Sequence, residues 1–300
     1  MASVLQTDQW AAFKEKYGWQ SRRVDGVLIL SRPILAGKSM WYAPETEITG
    51  APAIEQLVTA VRGQATKEHV FLFRLELAVP YSEDVAVTLQ EHGFKKSFET
   101  VQPEWRAVVD VRPDTGRILA AMHQKGRYNI RVAERHGVTV EPSQSVDHFY
   151  DLYVETAKRD GFTPRGKEYF QDFLAMVPGA ALFLARKNDK MLAGGIMVFY
   201  EEGASYLYGA SSSEERQLMA PYLLHWGVMQ EAQRRGCLSY DLGEIPPQGA
   251  EEHPLRGLGE FKMKLGAKAV HLMGSWDFVL EPFWYRAFRV GEKLRRGFRA

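Results

Sequence analysis

Three hundred residues, 45% hydrophobic and 25% charged, suffice to bury a large core and to form two domains of about 150 residues each. Lys and Arg number 38 against 37 Asp and Glu, and this net charge of +1 excludes a global electrostatic pull toward nucleic acid, so any basic footprint must be local. A single cysteine, Cys237, excludes an intramolecular disulfide and a multi-cysteine metal centre, and its apolar neighbours make it a small core residue.

The opening MASVLQTDQWAAF has no basic stretch followed by an apolar run, and nowhere do about 18 apolar residues follow one another. Neither a secretory signal nor a membrane span is expected, and a cytoplasmic monomer is. Residues 6–17 place Trp10, Phe13 and Tyr17 at helical spacing; VDGVLILSRPI and SMWYA then read as strands and IEQLVTAVRG as a helix. The strand VFLFRLEL and the helix DVAVTLQEHG, stopped by Gly93, complete a first group near residue 100. From WRAVVDV a longer group begins, with helices at 114–136, 145–160 and 166–176 and strands at ALFLARK, KMLAGGIMVFY and ASYLYGAS. A long helix opened by Pro221, the strand CLSYDLG, a loop rich in proline and glycine that runs on into RGLGE, and a strand near AVHLMG follow. The closing PFWYRAFRVGEKLRRGFRA is helical and basic.

Helices, antiparallel strands, a long helix and a further strand, given twice, suit a mixed α/β chain of two acetyltransferase-like (GNAT-type) domains, their mixed sheets flanked by helices. In a coenzyme A enzyme of that type, the turn before the long helix is rich in glycine so that bare N–H groups meet the pyrophosphate. Here, counting from Arg216, the corresponding positions hold Met219, which is bulky, and Pro221, which has no N–H. The architecture is expected to be kept and the cradle lost.

Four blocks in order, KGRYNIRVAERHGVTV (125–140), ETAKRDGF (155–162), YLYGASSSEERQLMAPYLLHWGVMQEAQRRGCLSYDLG (206–243) and GLGEFKMKLGA (257–267), resemble the Fem-type (FemABX) peptidyltransferases. The first hundred residues match less fully. The resemblance implies a domain over 1–104, with 275–300 packing onto it, and a second over 105–274. It implies a non-ribosomal aminoacyltransferase that moves an amino acid from aminoacyl-tRNA to the stem-peptide amine of a peptidoglycan precursor, lipid II or UDP-MurNAc-pentapeptide, to build the cell-wall cross-bridge. Such aminolysis of an ester needs proximity and an oxyanion partner but no protein nucleophile, metal or cofactor. No nucleophile elbow or HExxH motif occurs.

By this resemblance Lys262, next to Phe261, is the catalytic cation beside the reacting ester, and Arg216 grips the diphosphate of the muropeptide carrier. Read from spacing alone, Lys262 is equally a lysine on the exposed side of a strand, and Arg216 a surface arginine paired with Glu214 or Glu215. Lys38 and Trp41 are candidates for a second phosphate contact and a stacking wall, and Tyr208, Tyr240 and Asp241, near strand ends, for orienting the acceptor. Arg127, Arg131 and Arg135 recur every four residues along one helical face, either to follow an RNA backbone or as a solvated face balanced by Glu134. In the last helix, Phe283, Trp284, Tyr285 and Phe288 beside Arg286, Arg289, Lys293, Arg295 and Arg296 suit either packing on the first domain or peripheral contact with the anionic inner face of the cell membrane. The competing functional readings are a coenzyme A dependent N-acyltransferase and a non-catalytic binder of RNA or membrane.

Overall fold

A computed structural model describes residues 3–250 and 252–297, with side chains for all of these except Leu35 and residues 295–297, so that the side chains of Arg295 and Arg296 lie outside the described ones. The chain divides into two compact units. One is built from residues up to Glu104 and from His271 onward, the other from Trp105–Val270.

The first unit begins with α1 (Asp8–Lys16), whose N-terminal amide at Trp10 is capped by the Thr7 hydroxyl. The stretch 24–34 expected as one strand holds the turn of a hairpin between β1 (Gln20–Val24) and β2 (Val27–Leu35), because Asp25 and Gly26 both take positive φ and turn the chain. β3 (Lys38–Thr46) pairs antiparallel with β2, α2 (Ala51–Ala65) starts behind Gly50 with Pro52 in its first turn, and β4 (Val70–Pro80) runs parallel to β3. α3 (Glu83–Glu91) and the short β5 (Phe94–Lys96) complete this part.

In the second unit, β6 (Trp105–Asp110) precedes two helices, not the one expected over 114–136. α4 (Thr115–Ala121) stops at the extended Met122, and α5 (Gln124–Arg135) restarts with the His123 ring capping Lys125 N–H. β7 (Thr139–Ser143), too short and polar to stand out in the sequence, leads to α6 (Asp147–Asp160) and α7 (Lys167–Met176). β8 (Ala180–Lys187), β9 (Lys190–Tyr200) and β10 (Gly203–Ser211) form an antiparallel meander with β7 on its outer edge. α8 (Ala220–Arg234) follows, then β11 (Ser239–Glu244), which pairs parallel with β10 and antiparallel with β6. RGLGE, expected as a loop, is the first turn of α9 (Arg256–Lys264): neither glycine takes a positive φ, and the periodic apolar face Leu258, Phe261 and Leu265 fits a helix. The core of this unit gathers Ala107 and Val109 from β6, Met197 from β9, Leu224, Val228 and Met229 from α8, and Tyr240 and Leu242 from β11.

β12 (Lys268–Val279) then returns to the first unit, pairing antiparallel with β4 and β5, and α10 (Pro282–Gly297) packs on β4, with Phe288 edge-on to Phe71 at 5.6 Å. No helix among the described residues is long and apolar enough to cross a membrane.

Candidate active site

A strand ladder is interrupted beside the candidate site. β10 and β11 pair only from Gly203↔Ser239 to Ser205↔Asp241; directly afterwards β10 carries a bulge between Tyr206 and Tyr208, and β11 turns toward β6 with a register shift between Asp241 and Glu244. Beyond that point the two parallel strands are no longer paired, and a pocket of about 600 Å³ is lined by the far end of β10, by β9, the end of α6, the loop to α8 and the first turns of α8 and α9. The bulge also sorts the two tyrosines. Tyr206 packs against the core on the α8 side and lines the pocket, whereas Tyr208 lies among Tyr169, Phe170 and Phe173 of α7, with its hydroxyl 2.9 Å from that of Tyr169.

Lys262 is buried, at 4% exposure, yet lines the pocket. Its Nζ donates a 2.6 Å hydrogen bond to the Glu244 carbonyl, which ties the ammonium to the diverging end of β11. Gly243, at φ +79°, takes the left-handed backbone that suits glycine where β11 turns away beside the lysine. Burial lowers the lysine pKa to about 8, although Asp241 and Glu244 pull it upward. Asp241 is itself held by Arg106 at 3.1 Å and accepts from the Gly243 N–H at 2.7 Å. Phe261 precedes the lysine on α9 and packs edge-on to Tyr222 at 4.8 Å.

Behind Lys262 stands His225 of α8, 2% exposed, with Nδ1 2.9 Å from the hydroxyl of the fully buried Tyr240. Burial, reinforced by the Lys262 charge, lowers its pKa to about 3, so the imidazole is neutral. Burial also pushes the Tyr206 hydroxyl up to about 12. His225 and Tyr206 were absent from the sequence candidates; the usable signal was a histidine in the apolar run YLLHWG, where a polar ring has to find a partner.

Five amides of the loop from β10 to α8 are donated within the unit. Ser212 N–H donates to the Leu192 carbonyl at 2.9 Å, Ser213 N–H to the Glu155 carboxylate at 2.5 Å, Glu214 N–H to the Ser212 hydroxyl at 3.1 Å, and Leu218 and Met219 N–H to the Glu215 and Arg216 carbonyls. Met219 sits left-handed at φ 55° and Pro221 has no N–H. A carboxylate thus occupies the Ser213 amide, and the two cradle positions hold a bulky side chain and a proline. Glu214 and Glu215 both grip Lys190, at 2.6 and 2.9 Å, and Arg216 stays exposed at the pocket with no ion pair among the described residues.

The remaining candidates lie elsewhere. In the first unit, Lys38 is bound to Glu281 at 2.7 Å, and Trp41 is fully buried beneath the Arg22 guanidinium, so it is a core residue with no open face for stacking. In the second unit, Arg127 of α5 folds back onto the carbonyls of Ala120 and Met122, whereas Arg131 and Arg135 are exposed.

Comparison with known proteins follows the same lines. The FemAB family model matches residues 85–188 and 180–293. The chain is 24% identical to a lipid II:glycine glycyltransferase of Staphylococcus saprophyticus, over 94% of this chain and 89% of the relative. It is 29% identical to a UDP-N-acetylmuramoylpentapeptide-lysine N(6)-alanyltransferase of Weissella viridescens, over 94% and 90%. The crystal structure of FemX superposes with a TM-score of 0.85 at 20% identity, covering 95% of this chain and 94% of that one, which shows a shared fold.

Proposed function

Because the chain belongs to the FemAB family, we propose that it is an aminoacyltransferase that takes an amino acid from aminoacyl-tRNA and joins it to the stem-peptide amine of a peptidoglycan precursor. The observation that carries this reading is a buried cation, Lys262, lining a pocket beside a loop that holds Met219 and Pro221 where a pyrophosphate cradle needs bare amides. The amine nitrogen attacks the ester carbonyl carbon, the new C–N bond forms, the bond to the ribose oxygen breaks, and the amine proton ends on that oxygen. The developing oxyanion lies against Lys262 Nζ, whose ammonium is held ready by the Glu244 carbonyl. Phe261 and Tyr222 wall the pocket, and Arg216, free of the acids beside it, takes a phosphate of the acceptor. The exposed Arg131 and Arg135 follow the tRNA backbone.

Met219, bulky and left-handed at φ 55°, and Pro221, without an N–H, argue against the coenzyme A reading, since both stand where bare amides would meet the pyrophosphate. The outer face of α10 supports peripheral contact with an anionic membrane: Phe283, Val290 and Leu294 are exposed at 72%, 59% and 59%, and the exposed Arg286 and Lys293 share their side of the helix.

The test is transfer of labelled amino acids from charged tRNA to lipid II and to soluble UDP-MurNAc-pentapeptide. RNase-sensitive label on either acceptor is expected. No transfer from any aminoacyl-tRNA, together with a rise in melting temperature on adding acetyl-CoA, would overturn the reading.

A further inference from the structure

The hydroxyl of Tyr240 is fully buried, and among the described residues its hydrogen-bond partner is His225 Nδ1 at 2.9 Å. A buried hydroxyl left without an acceptor costs about 1–3 kcal/mol, so the phenol proton belongs in this contact and Nδ1 accepts it. A neutral imidazole that accepts at Nδ1 carries its own proton on Nε2. The ring is fixed on three further sides: Tyr206 stands edge-on at 4.7 Å, Phe261 lies at 5.6 Å, and the α8 backbone holds the Cα. The described residues give Nε2 no acceptor, and the open space beside this side chain is the pocket that Lys262 also lines.

We infer that His225, held by Tyr240 as its Nε2–H tautomer, is a second hydrogen-bond donor of the pocket and acts with Lys262 on the acyl carbonyl oxygen. This rests on the aminoacyl-transfer reading and adds a named donor to it. A single ammonium supplies charge without fixing direction. An imidazole N–H locked from behind by a phenol supplies direction at no cost of reorganisation when the carbonyl carbon turns tetrahedral. The Lys262 charge nearby keeps the ring in the neutral form, which retains Nδ1 as the acceptor that anchors Tyr240. No proton leaves His225 in the cycle: it donates a hydrogen bond to the oxygen as the C–N bond forms, and keeps that proton when the bond to ribose breaks.

The tautomer is testable without turnover. Nitrogen-15 spectra of the whole chain, labelled at its eight histidines and assigned by the signal missing in His225→Gln, are expected to show at pH 7 a proton on Nε2 and a bare Nδ1 for this residue. A proton on Nδ1 would overturn the inference. In kinetics, His225→Leu is expected to lower kcat for transfer about 10²-fold with little change in KM, and His225→Gln, whose amide N–H reaches toward the Nε2 position, to restore most of it. A folded His225→Leu protein with wild-type kcat would refute the donor role while leaving the transfer reading intact. A wild-type protein that transfers nothing from any charged tRNA removes the reading and the oxyanion with it, whatever the tautomer. If His225→Leu does not fold, Tyr240→Phe replaces it: with Nδ1 released, the two tautomers mix, and a several-fold drop in kcat is expected against an unchanged rate if the anchoring is irrelevant.

Discussion

Each unit contains one parallel strand pair joined through a helix, β3 and β4 through α2 in the first and β10 and β11 through α8 in the second, yet only the second pair comes apart. β3 and β4 stay paired from Ser39↔Val70 to Thr46↔Leu77, with register shifts but no separation. At the far end of that ladder the Glu76 carboxylate takes the hydroxyl of Tyr42, the Gln102 N–H at 2.8 Å and the Ser275 hydroxyl at 3.0 Å, while the Thr46 hydroxyl donates to the Glu76 carbonyl. Beside it Arg74, fully buried, binds Asp277 through both Nε and Nη2 and Glu99 through Nη1, and Tyr285 adds its hydroxyl to Asp277. The first unit therefore carries a satisfied polar network beside its parallel pair, and the second a pocket beside its own. One element order yields a closed scaffold when its polar groups are spent on each other, and an open pocket when a cation is left facing a void.

The largest effect is expected from breaking the closed unit. Arg74→Ala removes the cation bound to Asp277 and leaves a buried carboxylate held, among the described residues, by Tyr285, which is expected to cost about 3–5 kcal/mol in denaturant unfolding. The per-molecule transfer rate of the fraction still folded should stay near wild type. The next effect falls on the open unit. Lys262→Ala is expected to lower kcat about 10²–10³-fold, read in the transfer assay, with a much smaller loss of stability. The same lysine sets a pH limit. With a folded pKa near 8, its charge, and with it the rate of transfer, falls as pH rises through about 8. Stability runs the other way: between about 8 and 10.5 the unfolded chain holds a proton on this lysine that the folded chain has lost, so stability rises with pH across that window. Lys262→Met should remove both dependences, as paired kinetic and melting measurements would show.

The second unit was the more legible of the two. Its long helix, its meander and the block around Lys262 stand out in the sequence, because apolar periodicity and the FemAB resemblance lie on the same segments. What could not be read was set by backbone details that side-chain patterns do not carry. The bulge at 206–208 sends Tyr208 to the α7 side and brings Tyr206 to the pocket, reversing which of two near neighbours matters. Trp41 looks like a stacking surface in the exposed-looking string GKSMWYA, yet the strand buries it under Arg22. RGLGE reads as a loop because glycine usually breaks a helix, but Gly259 is where the Pro246 ring comes close: a Cβ there would lie 2.8 Å from Pro246 Cδ. The missing side chain serves packing of the segment after β11 against α9.

A glycine on the wall of the open unit should respond strongly to a single methyl group. Gly126 lies in α5 where that helix crosses the end of α9, and a Cβ there would fall 2.1 Å from the Lys264 carbonyl oxygen, a backbone atom with little room to yield. Gly126→Ala is expected to cost about 1–3 kcal/mol and, by pushing on α9 two residues after Lys262, to lower kcat as well. Melting and transfer measured on the same sample check both.

The control for that substitution is the same change in the closed unit. Gly63 lies in α2, the helix that joins β3 and β4, is exposed, and has nothing within 4 Å of an added Cβ. Gly63→Ala therefore meets no obstacle and restricts the unfolded chain, for an expected gain of about 0.5–1 kcal/mol and a small rise in melting temperature. Transfer should be untouched. A stabilised Gly63→Ala protein with reduced transfer would show that α2 has to move during turnover, and the division between a rigid scaffold and a reacting unit would then have to be given up.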